Sequence, residues 1–300
     1  MVLRITRSPR SIFLCVSAFL SLVTGLSACG LADTAPPIGT AAVALGRDRV
    51  PLGGPLEMTY RFTLAPSAPA LEDDYRVFVH FLDADGAVMF SDDHDPPEPL
   101  SSWTAGREIT YRRRFFTPVY PYIGEATVAL GLYSPAQGDR LPLGGDHLGQ
   151  RAYQVGTFEM APQSESGFLF FEDGWHDVES MPENSEREWR WTMGRSTISF
   201  RNPRTDSTLY LEVDGRPELL NAPQLVTLGI GETEIANFEM VPDASFHELP
   251  VSAATMGEDD TVTLVLTVDP AFVPSDITDG ANADNRELGI QVFYAFLEID

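Results

Sequence analysis

Between Leu56 and Ile299 the chain is cut by turn residues into short runs of alternating apolar and polar side chains, and no segment sustains a 3.6-residue apolar repeat. A half-buried strand needs a period of two, whereas an amphipathic helix needs 3.6, so the pattern restricts the chain to β-sheet. In the first half the runs are Leu56 to Leu64, Tyr75 to Leu82, Ala87 to Phe90, Glu108 to Phe116, Ala126 to Tyr133 and Ala152 to Met160. Val77, Val79 and Phe81 alternate with Phe78, His80 and Leu82, which predicts a strand buried on both faces and makes His80 a core histidine. Asp83-Ala84-Asp85-Gly86 supplies a tight turn into the next run. Short strands at this spacing predict an immunoglobulin-like sandwich over residues 42–161.

The polar stretch 162–167 reads as a linker, after which strand signals resume. They cover Phe168 to Phe171, Arg187 to Trp191, Thr197 to Phe200, Thr208 to Val213, Gln224 to Ile230, Thr233 to Glu239, Thr261 to Val268 and Glu287 to Ile299. The last run is apolar on both faces, as a central strand would be, and residues 168–300 are expected to form a jelly-roll-like sandwich. The expected fold class is therefore all-β, two tandem β-sandwich domains behind a leader.

That leader has an arginine-bearing start (Arg4, Arg7, Arg10), an apolar run from Ile12 to about Val23 and a small-residue end, which is the layout of a secretory signal over residues 1–28. The run is well short of the roughly 20 residues a membrane-spanning helix needs. Leu26-Ser27-Ala28-Cys29 resembles the bacterial lipobox, and the resemblance implies lipidation of Cys29 and a membrane held through that anchor. Gly30 in place of aspartate implies an outer-membrane or cell-surface location rather than the inner membrane. Residues 29–41, with Pro36 and Pro37, read as the lipidated tether. With Cys15 inside the signal, Cys29 is the only other thiol, so no internal disulfide and no cysteine-rich metal site are expected. Each sandwich must stand on packing alone.

Losing residues 1–28 removes three arginines and no acid, so 17 basic side chains remain against 44 acidic ones and the formal charge moves from −24 to −27. Such a surface repels phosphate backbones and excludes nucleic acid as a partner. All basic residues are arginine, a bias that a GC-rich genome or a high-salt habitat would each produce.

Two sets of motifs carry further resemblances. Val77-Phe78-Val79-His80-Phe81-Leu82, the acidic Asp92-Asp93-His94-Asp95-Pro96-Pro97, Trp103 with Gly106, and Gly131-Leu132-Tyr133 with Arg140-Leu141-Pro142-Leu143 resemble a domain of bacterial envelope proteins, some attached to membrane glycosyltransferases. Gly174-Trp175 with Glu179, Trp189-Arg190-Trp191-Thr192 and Asp284-Asn285-Arg286-Glu287-Leu288-Gly289-Ile290 are similar to a β-sandwich accessory module of surface-polysaccharide enzymes. The resemblance implies the β-sandwich architecture and an envelope-polysaccharide setting more than any activity.

Sugar rings stack their C–H faces on indoles while their hydroxyls bond to polar side chains, so tryptophans beside Asp, Glu, Asn or Arg are the natural candidates for a glycan site. Trp175, His176 and Glu179, with Trp103 and Arg286, are the candidate contacts; Arg286 could instead pin its own loop through Asp284 and Glu287. Trp189 and Trp191, two apart, share one face of a strand, and that face could be core. Asp92, Asp93 and Asp95 beside His94, and Asp279 and Asp284, are weak calcium candidates, because neither loop follows the spaced Asp/Asn-Gly pattern; no metal or cofactor is expected. No nucleophile elbow, zinc-protease helix, phosphate loop or dinucleotide fingerprint occurs. The expected function is thus non-catalytic carbohydrate binding at the cell envelope. The alternative is a scaffold that docks on another envelope protein in polysaccharide synthesis or export.

Overall fold

A computed structural model describes residues 35–71, 75–181, 184–220, 222–278 and 281–300. The signal, the Leu26-Ser27-Ala28-Cys29 motif and Asp279 lie outside the described residues. Among the described residues no helix is long and apolar enough to cross a membrane. The fold is all-β: two β-sandwiches, one before and one after the stretch near residue 163.

The first sandwich contains β1 (Gly39–Leu45), β2 (Arg49–Pro51), β3 (Pro55–Leu64), β4 (Arg76–Leu82), β5 (Val88–Ser91), β6 (Glu108–Phe116), β7 (Gly124–Tyr133), β8 (Asp146–Gly149) and β9 (Ala152–Ala161). One sheet is ordered β1-β3-β6 and the other β2-β9-β7-β4-β5, with β8 hydrogen-bonded to β9. Strand β2 runs parallel to β9 while its neighbours are antiparallel. This is the immunoglobulin arrangement, in which the first strand of the chain divides between the two sheets. Alternation explains the core: Met58, Tyr60 and Phe62 of β3 meet Val77, Val79 and Phe81 of β4 and Val128, Leu130 and Leu132 of β7. Strand β1 begins at Gly39, inside the segment read as tether, and Ile38 is already buried. His80 is not a core residue: its side chain lies on the opposite face of β4 from Val79, about a quarter exposed and 3.9 Å from Asp93.

The second sandwich contains β10 (Ser166–Gly167), β11 (Leu169–Phe171), β12 (Glu179–Met181), β13 (Asn184–Trp191), β14 (Arg195–Arg201), β15 (Ser207–Asp214), β16 (Leu225–Ile230), β17 (Thr233–Glu239), β18 (Ser245–Val251), β19 (Thr261–Asp269) and β20 (Gln291–Ile299). Its front sheet is ordered β12-β13-β20-β15-β18, with β10 on β20, and its back sheet β11-β14-β19-β16-β17. Ile198 and Phe200, Leu209, Leu211 and Val213, and Leu264 and Leu266 interlock between the sheets. The doubly apolar β20 lies in the middle of the front sheet, between β13 and β15.

The two sandwiches pack through an aromatic joint. Phe116 at the end of β6 stacks on Tyr294 at 4.7 Å and 13° and meets Phe246 at 5.3 Å. Phe116, Tyr210 and Phe296 are buried together there. A Cβ at Gly54 would lie 2.8 Å from the Pro51 carbonyl oxygen and 3.3 Å from the Phe296 ring, so the turn that brings this backbone up to Phe296 needs glycine. Arg47 pairs with Glu298, and the Tyr210 hydroxyl donates to Glu298 at 2.8 Å.

Candidate functional site

The residues singled out from sequence fall in two places. Trp103 follows a single 3-10 turn, packs on Phe62 at 5.1 Å, donates its indole N–H to the Glu98 carbonyl at 3.2 Å and is 2% exposed. No face of its ring is open to a sugar, so Trp103 is a core residue of the first sandwich and not a glycan contact.

Glu179 and Arg286 are bonded to each other at the β12 edge of the second sandwich and His176 reaches the neighbouring Glu287 carbonyl, while the Trp175 side chain turns away to Phe171 and Thr197. Gly174, at φ 82°, turns the chain so that Trp175 bridges Thr192 and its indole N–H donates to the Thr197 carbonyl at 2.8 Å. One face of the indole packs on the core, and the ring meets Phe171 edge-on at 4.7 Å. A His176 ring nitrogen bonds the Glu287 carbonyl at 2.7 Å. Arg286 uses all three guanidinium nitrogens on Asp284 (3.0 and 2.7 Å) and Glu179 (2.5 Å). That fork holds the Asp284 carboxyl down to about 2. Arg286 therefore pins the loop before β20 to β12, the internal role that competed with ligand binding.

The calcium candidates of the first sandwich are likewise engaged. Asp92 takes a two-pronged bond from Arg113 at 2.9 and 2.7 Å, Asp93 accepts from the Val79 amide at 3.2 Å, and Asp95 pairs with Arg76 at 2.7 Å. His94 is buried with its ring nitrogens on the Asp92 carbonyl and the Tyr111 hydroxyl, both at 2.8 Å. Burial lowers its pKa below the ordinary 6.5.

A different surface collects the features that sugar recognition needs: the outer face of the front sheet. Leu209, Leu211 and Val213 point inward, so Tyr210, Glu212 and Asp214 point out. Strand β20 would alternate in step, but Val292 pairs with Val213 and Tyr294 with Glu212, which leaves Phe293 as a bulge. Beyond that bulge Tyr294 and Phe296 face out, while Val292 and Leu297 stay in the core. Trp191 sits opposite Gln291, under Phe272 and Leu288, with the Arg216 guanidinium 5.6 Å from its ring centre. Trp189 and Trp191 belong to this outer cluster and not to the core between the sheets.

Phe116 of the first sandwich covers one end of the face, and Phe272 and Leu288 cover the other. Between them a groove of ≈ 330 Å³ lies open at the joint, with Asp92, Arg113 and Phe115 on one wall and Arg187, Glu212, Phe293 and Tyr294 on the other. Tyr294 rests one face on Phe116 and is 41% exposed. Arg187 lies 4.3 Å over Phe293 and 3.6 Å from Glu212. Burial raises the Glu212 carboxyl above its ordinary range, and Arg187 pulls it partly back. Trp189 stands 6.0 Å from Phe293, and among the described residues its buried indole N–H has no hydrogen-bond partner. A buried donor without a partner costs about 1–3 kcal/mol.

A larger hollow of ≈ 620 Å³ lies beside Phe168, Phe170 and Ile299. Its Asn202 amide donates to the Gly257 and Asp259 carbonyls and Arg204 to Asp260, so those polar groups are spent on the adjoining loop.

No protein-family model matches the chain, and no curated protein does. Among solved structures, TmCBM61 in complex with β-1,4-galactotriose is 8% identical, with a TM-score of 0.26 over 45% of this chain and 88% of that one. The tandem CBM22-1-CBM22-2 domain from Paenibacillus barcinonensis Xyn10C is 8% identical, with a TM-score of 0.27 over 87% of this chain and 93% of that one. CBM51-2 in complex with GlcNAc, with the INT domains of Clostridium perfringens ZmpB, is 12% identical, with a TM-score of 0.25 over 59% of this chain and 38% of that one. At such scores the likeness carries no weight for what this chain binds.

Proposed function

We propose that this chain is a non-catalytic glycan-binding protein of the cell envelope, held to a membrane by lipid on Cys29 and binding through the groove at the sandwich joint. The observation that carries the reading is the Tyr294 ring, seated on Phe116 and 41% exposed, in a groove lined by Arg113, Arg187, Asp92 and Glu212. A fixed aromatic platform with the Arg187 guanidinium and the Glu212 carboxylate at its rim offers both the stacking and the hydrogen bonds that pyranose rings use. The platform is rigid because Phe116 backs it, so little side-chain entropy is lost when a sugar arrives. The sandwich itself hosts many activities, so the groove and not the fold carries the function.

A glycan array probed with the full-length chain tests the reading. Tyr294→Ala is expected to weaken its hits by about tenfold or more, the loss of one to two kcal/mol of stacking, while Trp175→Ala leaves them in place. Hits lost in Trp175→Ala and kept in Tyr294→Ala would move the site to the β12 edge. The anchor is checked separately: a palmitate analogue is expected to label the wild-type chain in its host and not Cys29→Ala. With Gly30 following the cysteine, the outer membrane or the cell surface is the expected location.

A second reading has its own observation. Strand β11 ends the back sheet, and Phe168 and Phe170 are 53% and 58% exposed there. An edge strand with exposed aromatics is a docking surface for another protein. An array without any hit would favour this scaffold role in the envelope over glycan binding.

A further inference from the structure

Arg113, Arg114 and Arg187 line the joint groove against two carboxylates, Asp92 and Glu212, on a chain whose formal charge is −24. Their engagement is unequal. Arg113 is matched by the two-pronged bond to Asp92, and Arg114 shares the single carboxylate of Glu57 with Arg112. Arg187 reaches Glu212 only at 3.6 Å, too long for a hydrogen bond, and among the described residues it has no closer acceptor. With its guanidinium face 4.3 Å over Phe293, the N–H groups at its edge remain to be filled. Burial works against the charge on Glu212, which makes that carboxylate a poor sole counter-ion.

We infer that the groove takes an acidic sugar, whose carboxylate or sulfate seats on the open edge of the Arg187 guanidinium while its ring lies on Tyr294. This deepens the glycan-binding reading and rests on it. The planar fork of arginine matches a carboxylate through two parallel bonds, and stacking on Phe293 orients that fork without using its donors. On the facing wall Arg112 and Arg114 share the one carboxylate of Glu57, which leaves a positive charge there. A neutral sugar would leave the Arg187 donors to water.

The test measures binding of the full-length chain to immobilised polygalacturonate, to its carboxyl-reduced neutral form and to dextran sulfate. An acidic polymer is expected to bind about tenfold or more tightly than the neutral one, with the preference shrinking as salt rises from about 0.05 to about 0.5 M. Polygalacturonate ahead of dextran sulfate identifies a carboxylate, and the reverse order a sulfate. Arg187→Gln is expected to abolish the preference while residual binding to the neutral polymer survives. Arg187→Lys, which keeps the charge and loses the fork, should fall between and serves if the glutamine variant does not fold. Equal binding to acidic and neutral polymers, or an undiminished preference in Arg187→Gln, overturns the inference and leaves glycan binding standing. Binding to neither acidic polymer overturns it too, and neutral hits on the array then decide the fate of the broader reading.

Discussion

Trp103→Ala is expected to destabilise the first sandwich by about 3–5 kcal/mol, the usual range for removing a buried tryptophan, and to leave glycan binding unchanged wherever the variant is still folded. The indole is 2% exposed and packs on Phe62 of β3 at 5.1 Å, so alanine leaves a cavity in the first core. The Glu98 carbonyl that accepts the indole N–H at 3.2 Å loses its donor as well. Against a total stability of about 5–15 kcal/mol for a domain, this is a large fraction. Amide exchange in β3 and β6, followed with a denaturant midpoint, locates the loss. An unchanged midpoint together with lost sugar binding would restore Trp103 as a ligand contact.

Gly174→Ala is expected to cost about 2–5 kcal/mol, the sum of left-handed backbone strain and overpacking. At φ 82° the position favours glycine, and a Cβ would overlap the Arg195 carbonyl oxygen and lie 2.8 Å from the Ser196 Cα. The Gly174 carbonyl also accepts from the Ser196 hydroxyl at 2.5 Å and from the Met193 amide at 2.8 Å, so the loop is gripped on both sides and cannot slide away. The variant should free Trp175 from the Thr197 carbonyl, visible as faster exchange of the His176 and Thr197 amides, while the joint groove keeps its ligand. A cost below about 0.5 kcal/mol, the range of ordinary surface changes, would contradict this geometry.

Much of the fold was legible because strands with a clean period of two announce themselves. Strands β3, β4, β6, β7, β15 and β19 stand where alternation predicts. The elements that escaped lack that signal: β1 carries Ala41, Ala42 and Ala44, β2 spans only Arg49–Pro51, and β18 mixes His247, Glu248 and Pro250 into its run. Short or alanine-rich strands bury too little to stand out, and here the partner strand supplies the structure. Residues 29–41 lack periodicity and carry Pro36 and Pro37, so nothing in the sequence marks the start of β1 at Gly39.

The site was less legible, for three physical reasons. That Trp189 and Trp191 share a face follows from spacing, but which side of the sheet that face occupies depends on strands more than a hundred residues later. The alternation of β20 breaks at the Phe293 bulge, which sends Tyr294 outward where an unbroken period would align it with Val292. The opposite wall comes from the first sandwich, and nothing near Arg187 in the chain marks Arg113 or Asp92 as its neighbours. The β12 edge was easier to read because Trp175, His176 and Glu179 are close in sequence. There Arg286 proved to be saturated by Asp284 and Glu179.

The four tryptophans stand in four settings: Trp103 in the first core, Trp175 on the edge of the second core, Trp191 under Phe272 and Leu288, and Trp189 beside Phe293 of the groove wall. Their indole N–H resonances, followed in the full-length chain as an oligosaccharide hit from the array is titrated in, test the central claim most directly. Glycan binding at the joint predicts that the Trp189 resonance moves with ligand while those of Trp103 and Trp175 stay fixed; movement of Trp175 with Trp189 unmoved would contradict it.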